Sequence, residues 1–169
     1  LGWAGHARAD GRIAVDDVSF DWHHTGDALT STLTAPTRGW VAVGFNGARR
    51  LEGTRFVIAA RADGVPRFAE RIAVVPTHEP VDAFGLTPAL HRAELTHSPG
   101  GSRLTFSYPT DLPGLALAPG SATHLMLAWS HAPEFDHHSA WRRHLDITLR
   151  PQPRRSPWTL SPDQSLPSS

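Results

Sequence analysis

The sequence contains no cysteine and no lysine. Without cysteine there is no disulfide, no thiolate metal site, no c-type haem attachment and no thiol nucleophile. The missing cysteine does not fix the compartment. The missing lysine leaves arginine as the source of all 16 basic side chains, which 16 acidic ones balance to a net charge of zero. A neutral chain lacks the electrostatic drive toward nucleic acid or an acidic membrane surface. The bias toward Arg, Ala, Pro and Leu fits GC-rich coding, so the absent lysine carries little functional weight. No apolar run approaches the length of a membrane span.

Catalytic signatures are missing as well. There is no Gly-x-Ser-x-Gly elbow, Walker loop, dinucleotide glycine fingerprint or His-Glu-x-x-His pair. Carboxylate pairs such as Asp16-Asp17 fall at turns, where solvation explains them. Ser139 is next to His138, but sequence neighbours rarely face each other in an extended chain. The reading is a binding module rather than an enzyme, with no catalytic residue assigned.

What is present points to one well-buried domain. The chain has 169 residues, 40% of them apolar, enough for one core and short for two. It opens on Leu rather than Met, which fits a mature, exported product, so an extracytoplasmic (periplasmic or secreted) location is expected. Residues 1–11 read as an irregular arm, residues 12–149 as a sandwich, and residues 150–169 as a Pro/Ser-rich tail. If that tail is ordered it must dock on something, with Trp158 and Leu160 as anchors.

Short strand patterns fill the middle. Val18, Phe20 and Trp22 alternate with Ser19, Asp21 and His23. A Thr25-Gly26-Asp27 turn leads into the Thr-rich stretch from Leu29 to Ala35, which Pro36 ends. Trp40 to Phe45 is apolar almost throughout, as in a central strand buried on both faces. Further runs cover Phe56–Ala60, Val65–Val75, Ala93–Thr96, Leu104–Tyr108, His124–Trp129 and His144–Leu149, with hairpin signals at Asp63-Gly64 and Pro99-Gly100-Gly101. Residues 76–90 read as a long surface loop. About nine short strands and no convincing amphipathic helix predict an all-β fold, an antiparallel β-sandwich of immunoglobulin-like type.

Histidine is the outlier, at 11 residues. They cluster at His23-His24 and across His131, His137, His138 and His144. Neutral imidazole binds haem iron, copper and zinc. The loop Glu134–Ser139 is the best place for such chemistry, because it joins two late strands at a sandwich end, where binding loops collect. Trp22, Trp40 and Trp129 sit on strand patterns and are expected in the core. Trp141 either packs over a planar ligand or anchors its loop. Met126, the single methionine, alternates with Leu125 and Leu127 and reads as a gap-filling core residue.

Three stretches carry a resemblance to a known family: Leu29–Phe45 with its Gly39-Trp40-Val41-Ala42-Val43-Gly44-Phe45 core, Leu51–Ile58, and His138–Leu149. In that order and spacing they resemble a DOMON domain, over residues 12–149. Many DOMON domains are b-type cytochromes, and others are thought to bind sugars or to serve as interaction modules. The resemblance implies haem b held by His138, with His137 the one-residue alternative. It also puts Leu51 at the position of the family's axial Met, and leucine cannot ligate iron. A second imidazole such as His24, His78 or His131 would make the site bis-His.

Arg142 and Arg143 are candidates to pair with haem propionates, though only one of two strand neighbours can face a pocket. A copper site built from several imidazoles, drawn from His138, His137, His131 and His24, is the metal alternative, and no cofactor at all is the third. The competing functional classes are a non-redox module binding a sugar or a partner protein, and a subunit of a larger assembly. The expected partner is a redox or assembly protein, contacted through the 150–169 tail.

Overall fold

A computed structural model describes residues 9–74 and 77–150. Trp158, Leu160 and the rest of the tail after Arg150 lie outside the described residues, as do residues 1–8. Two antiparallel sheets face each other as a sandwich. The first holds β1 (Gly11–Val15), β2 (Val18–Thr25), β3 (Ala28–Ala35), β8 (Arg92–Ser98) and β9 (Gly101–Pro109) in the order β1-β2-β3-β9-β8. The second holds β4 (Val41–Asn46), β5 (Arg55–Ala62), β6 (Val65–Val74), β7 (Thr77–Pro80), β10 (Ala122–Trp129) and β11 (Trp141–Thr148) in the order β11-β10-β4-β5-β6-β7.

The described residues form eleven strands, two more than the nine expected. The additions, β1 and β7, are both edge strands. An edge strand needs neither a full apolar pattern nor every backbone N–H, which is how β7 accommodates Pro80. The expected 76–90 loop therefore contains a strand, followed by a 3₁₀ turn at Val81–Phe84. β11 also begins at Trp141, three residues before the alternation was expected.

Alternation builds the inner core. Phe20, Trp22, Leu29, Leu33, Leu104, Phe106 and Tyr108 of the first sheet belong to one buried cluster with Val41, Val43, Phe45, Val57, Leu125 and Leu127 of the second. Each large side chain buried this way contributes about 1.5–3 kcal/mol. Into this layer β5 also sends Arg55, paired with Glu70 at 2.7 Å. The Glu70 carboxylate accepts from the backbone N–H groups of Ala89 and Leu90 at 2.8 and 3.1 Å. That pair pins the connection from β7 to β8 across the sandwich.

Every residue of β4 is buried. Half of them face the inner core. The other half face away from it, so the second sheet carries apolar residues on its outer surface too. That outer layer is a separate cluster of Trp40, Ala42, Phe56, Ile58, Ala60, Ala73, Met126 and Ala128, against which Leu51, Ala69 and Phe135 pack.

Candidate cofactor pocket

The floor of the site follows from strand register. Ala128, Ala42, Ile58 and Ala69 lie side by side across β10, β4, β5 and β6. Met126, Gly44, Phe56 and Arg71 form the next row. Small side chains keep the middle of this floor low. A Cβ at Gly44 would sit 2.7 Å from Thr54 Cγ2 and 2.9 Å from Phe56 Cβ, so the floor leaves no room for a larger residue there.

Two loops and an edge strand wall this floor. On one side, the segment after β4 is tied down by Asn46, whose amide donates to the carbonyls of Arg50 and Glu52 at 2.9 and 3.0 Å. The N–H of Thr54 donates to the Leu51 carbonyl at 2.9 Å, and the Leu51 side chain leans on the outer cluster. On the other side, the loop between β10 and β11 crosses over the sheet. Phe135 packs on the cluster, and the Trp40 indole N–H donates to the His137 carbonyl at 3.1 Å. Gly39 makes this crossing possible, because a Cβ there would collide with the backbone of Ser130 and His131.

The result is a cavity of about 300 Å³. Leu51, His78, Met126, His137, His138, Arg71 and Arg142 line it together with the apolar floor. Five of the candidate ligand and pocket residues singled out in the sequence therefore meet in one place: His138, its neighbour His137, Leu51, Arg142 and His78. Met126 belongs to the outer cluster on the cavity floor rather than to the inner core.

His78 is the less expected wall residue. It stands opposite Ala73 in the β6–β7 ladder, with its ring edge-on to Phe56 at 5.3 Å between centroids. Among the described residues its Nδ1 is buried and has no hydrogen-bond partner. Burial holds its pKa below the ordinary histidine value, helped by the Arg71 guanidinium and opposed by the Phe135 backbone, Glu79 and Asp136. A neutral ring is the form that ligates a metal.

Other predicted residues lie elsewhere. His24 is on β2 of the first sheet, its Nε2 2.8 Å from the Leu117 carbonyl and its Nδ1 3.8 Å from Asp10. His131 packs edge-on against Trp129 at 5.0 Å and is exposed. Trp141 packs against the inner core, and its indole N–H donates to Asp16 at 2.9 Å. Arg143 lies over the Trp141 ring and also reaches Asp16, at 3.1 Å. Trp141 therefore anchors its strand, and of the two arginines the cavity takes Arg142. Among the described residues no three His, Cys, Asp or Glu side chains are grouped to hold a metal ion. A copper site of several imidazoles finds no support in this arrangement.

Beside the cavity the same outer face carries a polar chain. His144, opposite Met126 in the ladder, has Nδ1 3.2 Å from His124 Nε2, and His124 Nδ1 is 2.9 Å from Asp146. Burial lowers the His144 pKa, reinforced by Arg142 and His124. The hydrogen bond from His124 lowers that of Asp146.

The first sheet's outer face holds a second concavity, of about 590 Å³. Its floor is a hydroxyl ladder, with Thr30 3.4 Å from Ser107 and Thr32 3.2 Å from Thr105. Asp21, His23, Glu94 and Arg103 stand around it. Desolvation raises the Asp21 pKa, against the pull of Arg103 and Arg12.

Two solved structures share this architecture. The cytochrome b domain of pyranose dehydrogenase from Coprinopsis cinerea superposes with a TM-score of 0.57 at 12% identity, covering 79% of this chain and 77% of that one. The fold is a DOMON-type sandwich. The cytochrome domain of Myriococcum thermophilum cellobiose dehydrogenase shares the DOMON-type fold with a TM-score of 0.51 at 10% identity, covering 82% of each chain. No family model and no curated protein matches the sequence. Among the described residues no helix is long and apolar enough to cross a membrane.

The outer apolar layer had a sequence signal. In β4, β5 and β10 the residues on the face away from the inner core are Ala42, Gly44, Phe56, Ile58, Met126 and Ala128. Apolar residues on both faces of a strand require a cover on both faces. Pattern alone does not say that the cover is a loop with a cavity beneath it.

Proposed function

We propose that the cavity on the outer face of the second sheet binds haem b and that the protein is an extracytoplasmic electron-transfer module. One observation carries this reading: the Leu51 segment and the His137-His138 loop, far apart in sequence, converge on one apolar, small-residue floor. The donor set suits the group. His138 would hold the iron, with His137 the neighbouring alternative, and the Arg142 guanidinium would pair with a propionate. A porphyrin supplies its own equatorial nitrogens, so the site needs only axial donors, not a cluster of three. When bound, haem supplies one-electron redox chemistry, and the chain supplies ligand, orientation and a dry wall. Two neighbours of like fold are cytochrome domains of dehydrogenases, which favours a catalytic redox protein as partner.

Absorption spectroscopy of the purified protein titrated with haem tests this directly. A Soret band that shifts on reduction is expected, and His138→Ala should abolish or strongly alter it. The absence of any Soret band, or an unchanged band in His138→Ala and in the double variant with His137→Ala, overturns the reading.

A second reading has its own observation. The hydroxyl ladder between Asp21 and Glu94 offers many paired donors and acceptors, which suits a polyhydroxylated ligand such as a sugar. Glycan-array binding lost in Asp21→Ala would favour it.

A further inference from the structure

We propose that His78 supplies the second axial nitrogen to the iron, in place of a residue at position 51. This rests on the haem reading above. Leu51 lines the cavity but ends in saturated carbon, so an iron held by His138 must find its other ligand elsewhere or remain five-coordinate. The structure narrows the choice. His24 lies in the first sheet, away from the cavity, with its Nε2 on the Leu117 carbonyl, and His131 packs on Trp129 outside the cavity. His137 adjoins His138 in one turn of the same loop, where its N–H donates to the Glu134 carbonyl at 3.1 Å. Adjacent residues of one turn approach a ligand from the same side.

His78 differs on each of these points. It comes from β7, at the edge of the sheet opposite β11, while His138 comes from the loop joining β10 to β11. Both line the same cavity. Among the described residues its Nδ1 is buried without a hydrogen-bond partner, as is that of His24, but of the two only the His78 ring lines the cavity, where such a nitrogen has a partner to find. The ring is already held, edge-on to Phe56 and within reach of the Phe135 backbone. Met126 is the rival donor. Its thioether lies in the packed floor, 5% exposed, with its methyl group beside Gly44.

The test compares the haem-loaded protein with its His78→Gly and Met126→Leu variants by absorption and electron paramagnetic resonance. The parent protein should show a low-spin ferric signal typical of two imidazoles. His78→Gly should keep a Soret band but lose the low-spin signal, and added imidazole should restore it. Met126→Leu should leave the signal unchanged. If glycine prevents folding, as judged by circular dichroism, His78→Gln serves in its place.

A high-spin parent protein overturns the proposal. So does a low-spin signal that survives His78→Gly, or a thioether-to-iron charge-transfer band lost in Met126→Leu. A parent protein without any Soret band brings down the haem reading itself, and that outcome is distinct from a haem protein whose ligation ignores His78.

Discussion

The two sheets present opposite outer faces. On the first, register places Thr30 beside His23 and Ser107, and Thr32 beside Asp21 and Thr105. That face is hydroxylated and wet, as an antiparallel sheet with one solvated side should be. On the second, the equivalent positions of β4, β5 and β10 hold Ala42, Gly44, Phe56, Ile58, Met126 and Ala128. A sheet that is apolar on both sides must be covered twice. The inner cover is the other sheet, and the outer one is a histidine-bearing loop that leaves a cavity. Asymmetry between the faces thus points to where a ligand would complete the fold.

The sharpest way to break the contrast is to put a charge on each face. Ala42→Asp places a carboxylate at a position 1% exposed, in the apolar floor of the cavity. Such a group costs about 3–5 kcal/mol, enough to lower the chemical-denaturation midpoint severely and abolish haem binding. Thr34→Asp, on the first sheet beside Arg103, should shift stability by no more than about 0.5 kcal/mol. Equal losses at the two sites would mean that the second sheet's outer layer is not a real core.

Truncation comes next in size. Phe56→Ala should cost about 3–5 kcal/mol in the apoprotein, because Phe56 is 5% exposed and supports both the floor and the His78 ring. Thr30→Ala should cost about 1 kcal/mol or less, since it gives up a single long hydroxyl contact of 3.4 Å. Urea melts of the two variants side by side measure the difference.

Much of this was legible in the residues. The unbroken apolar run Val41–Phe45 announced a strand buried on both faces, and β4 is one. Turn chemistry at Asp63-Gly64 set a hairpin that the structure shows. β1 and β7 escaped notice because edge strands carry weak patterns, and with β7 the place of His78 in the fold was hidden. Leu51, His138 and Arg142 line one cavity, whereas Trp141 and Arg143 lie outside it. A period of two assigns faces only once the strand's start is known, and β11 starts at Trp141 itself. Met126 is a buried core residue, as its alternation suggested, but alternation does not say that its layer is the outer one.

A smaller effect tests how the cover is fastened. Trp40→Phe keeps the ring but deletes the N–H donated to the His137 carbonyl. A lost hydrogen bond of this kind costs about 1 kcal/mol. The expected signature is faster hydrogen exchange confined to residues 131–140, with weaker haem affinity. An unchanged exchange pattern would show that Phe135 packing alone holds the loop.

The smallest expected effect is in pH dependence, where the two faces should respond with opposite sign. His144, on the second sheet, has a folded pKa below its ordinary value because burial disfavours its charged form. Above the unfolded value of about 6.5 both states are neutral and nothing is contributed. As pH falls below it, the unfolded chain takes up the proton first, so stability drops until the folded pKa is passed. Asp21, on the first sheet, has a folded pKa above its ordinary carboxylate value because of desolvation. Its penalty is present when both states are ionised. It disappears as pH falls through the folded pKa toward the unfolded one, so this group gains stability on acidification. His144→Gln should therefore flatten the loss between pH 7 and the acid side of the histidine range. Asp21→Asn should instead raise stability at neutral pH and leave little difference in strong acid. Thermal melts across pH, run on both variants and the parent, separate the windows, and a shared sign would show that the two outer faces are not the electrostatic opposites their side chains make them.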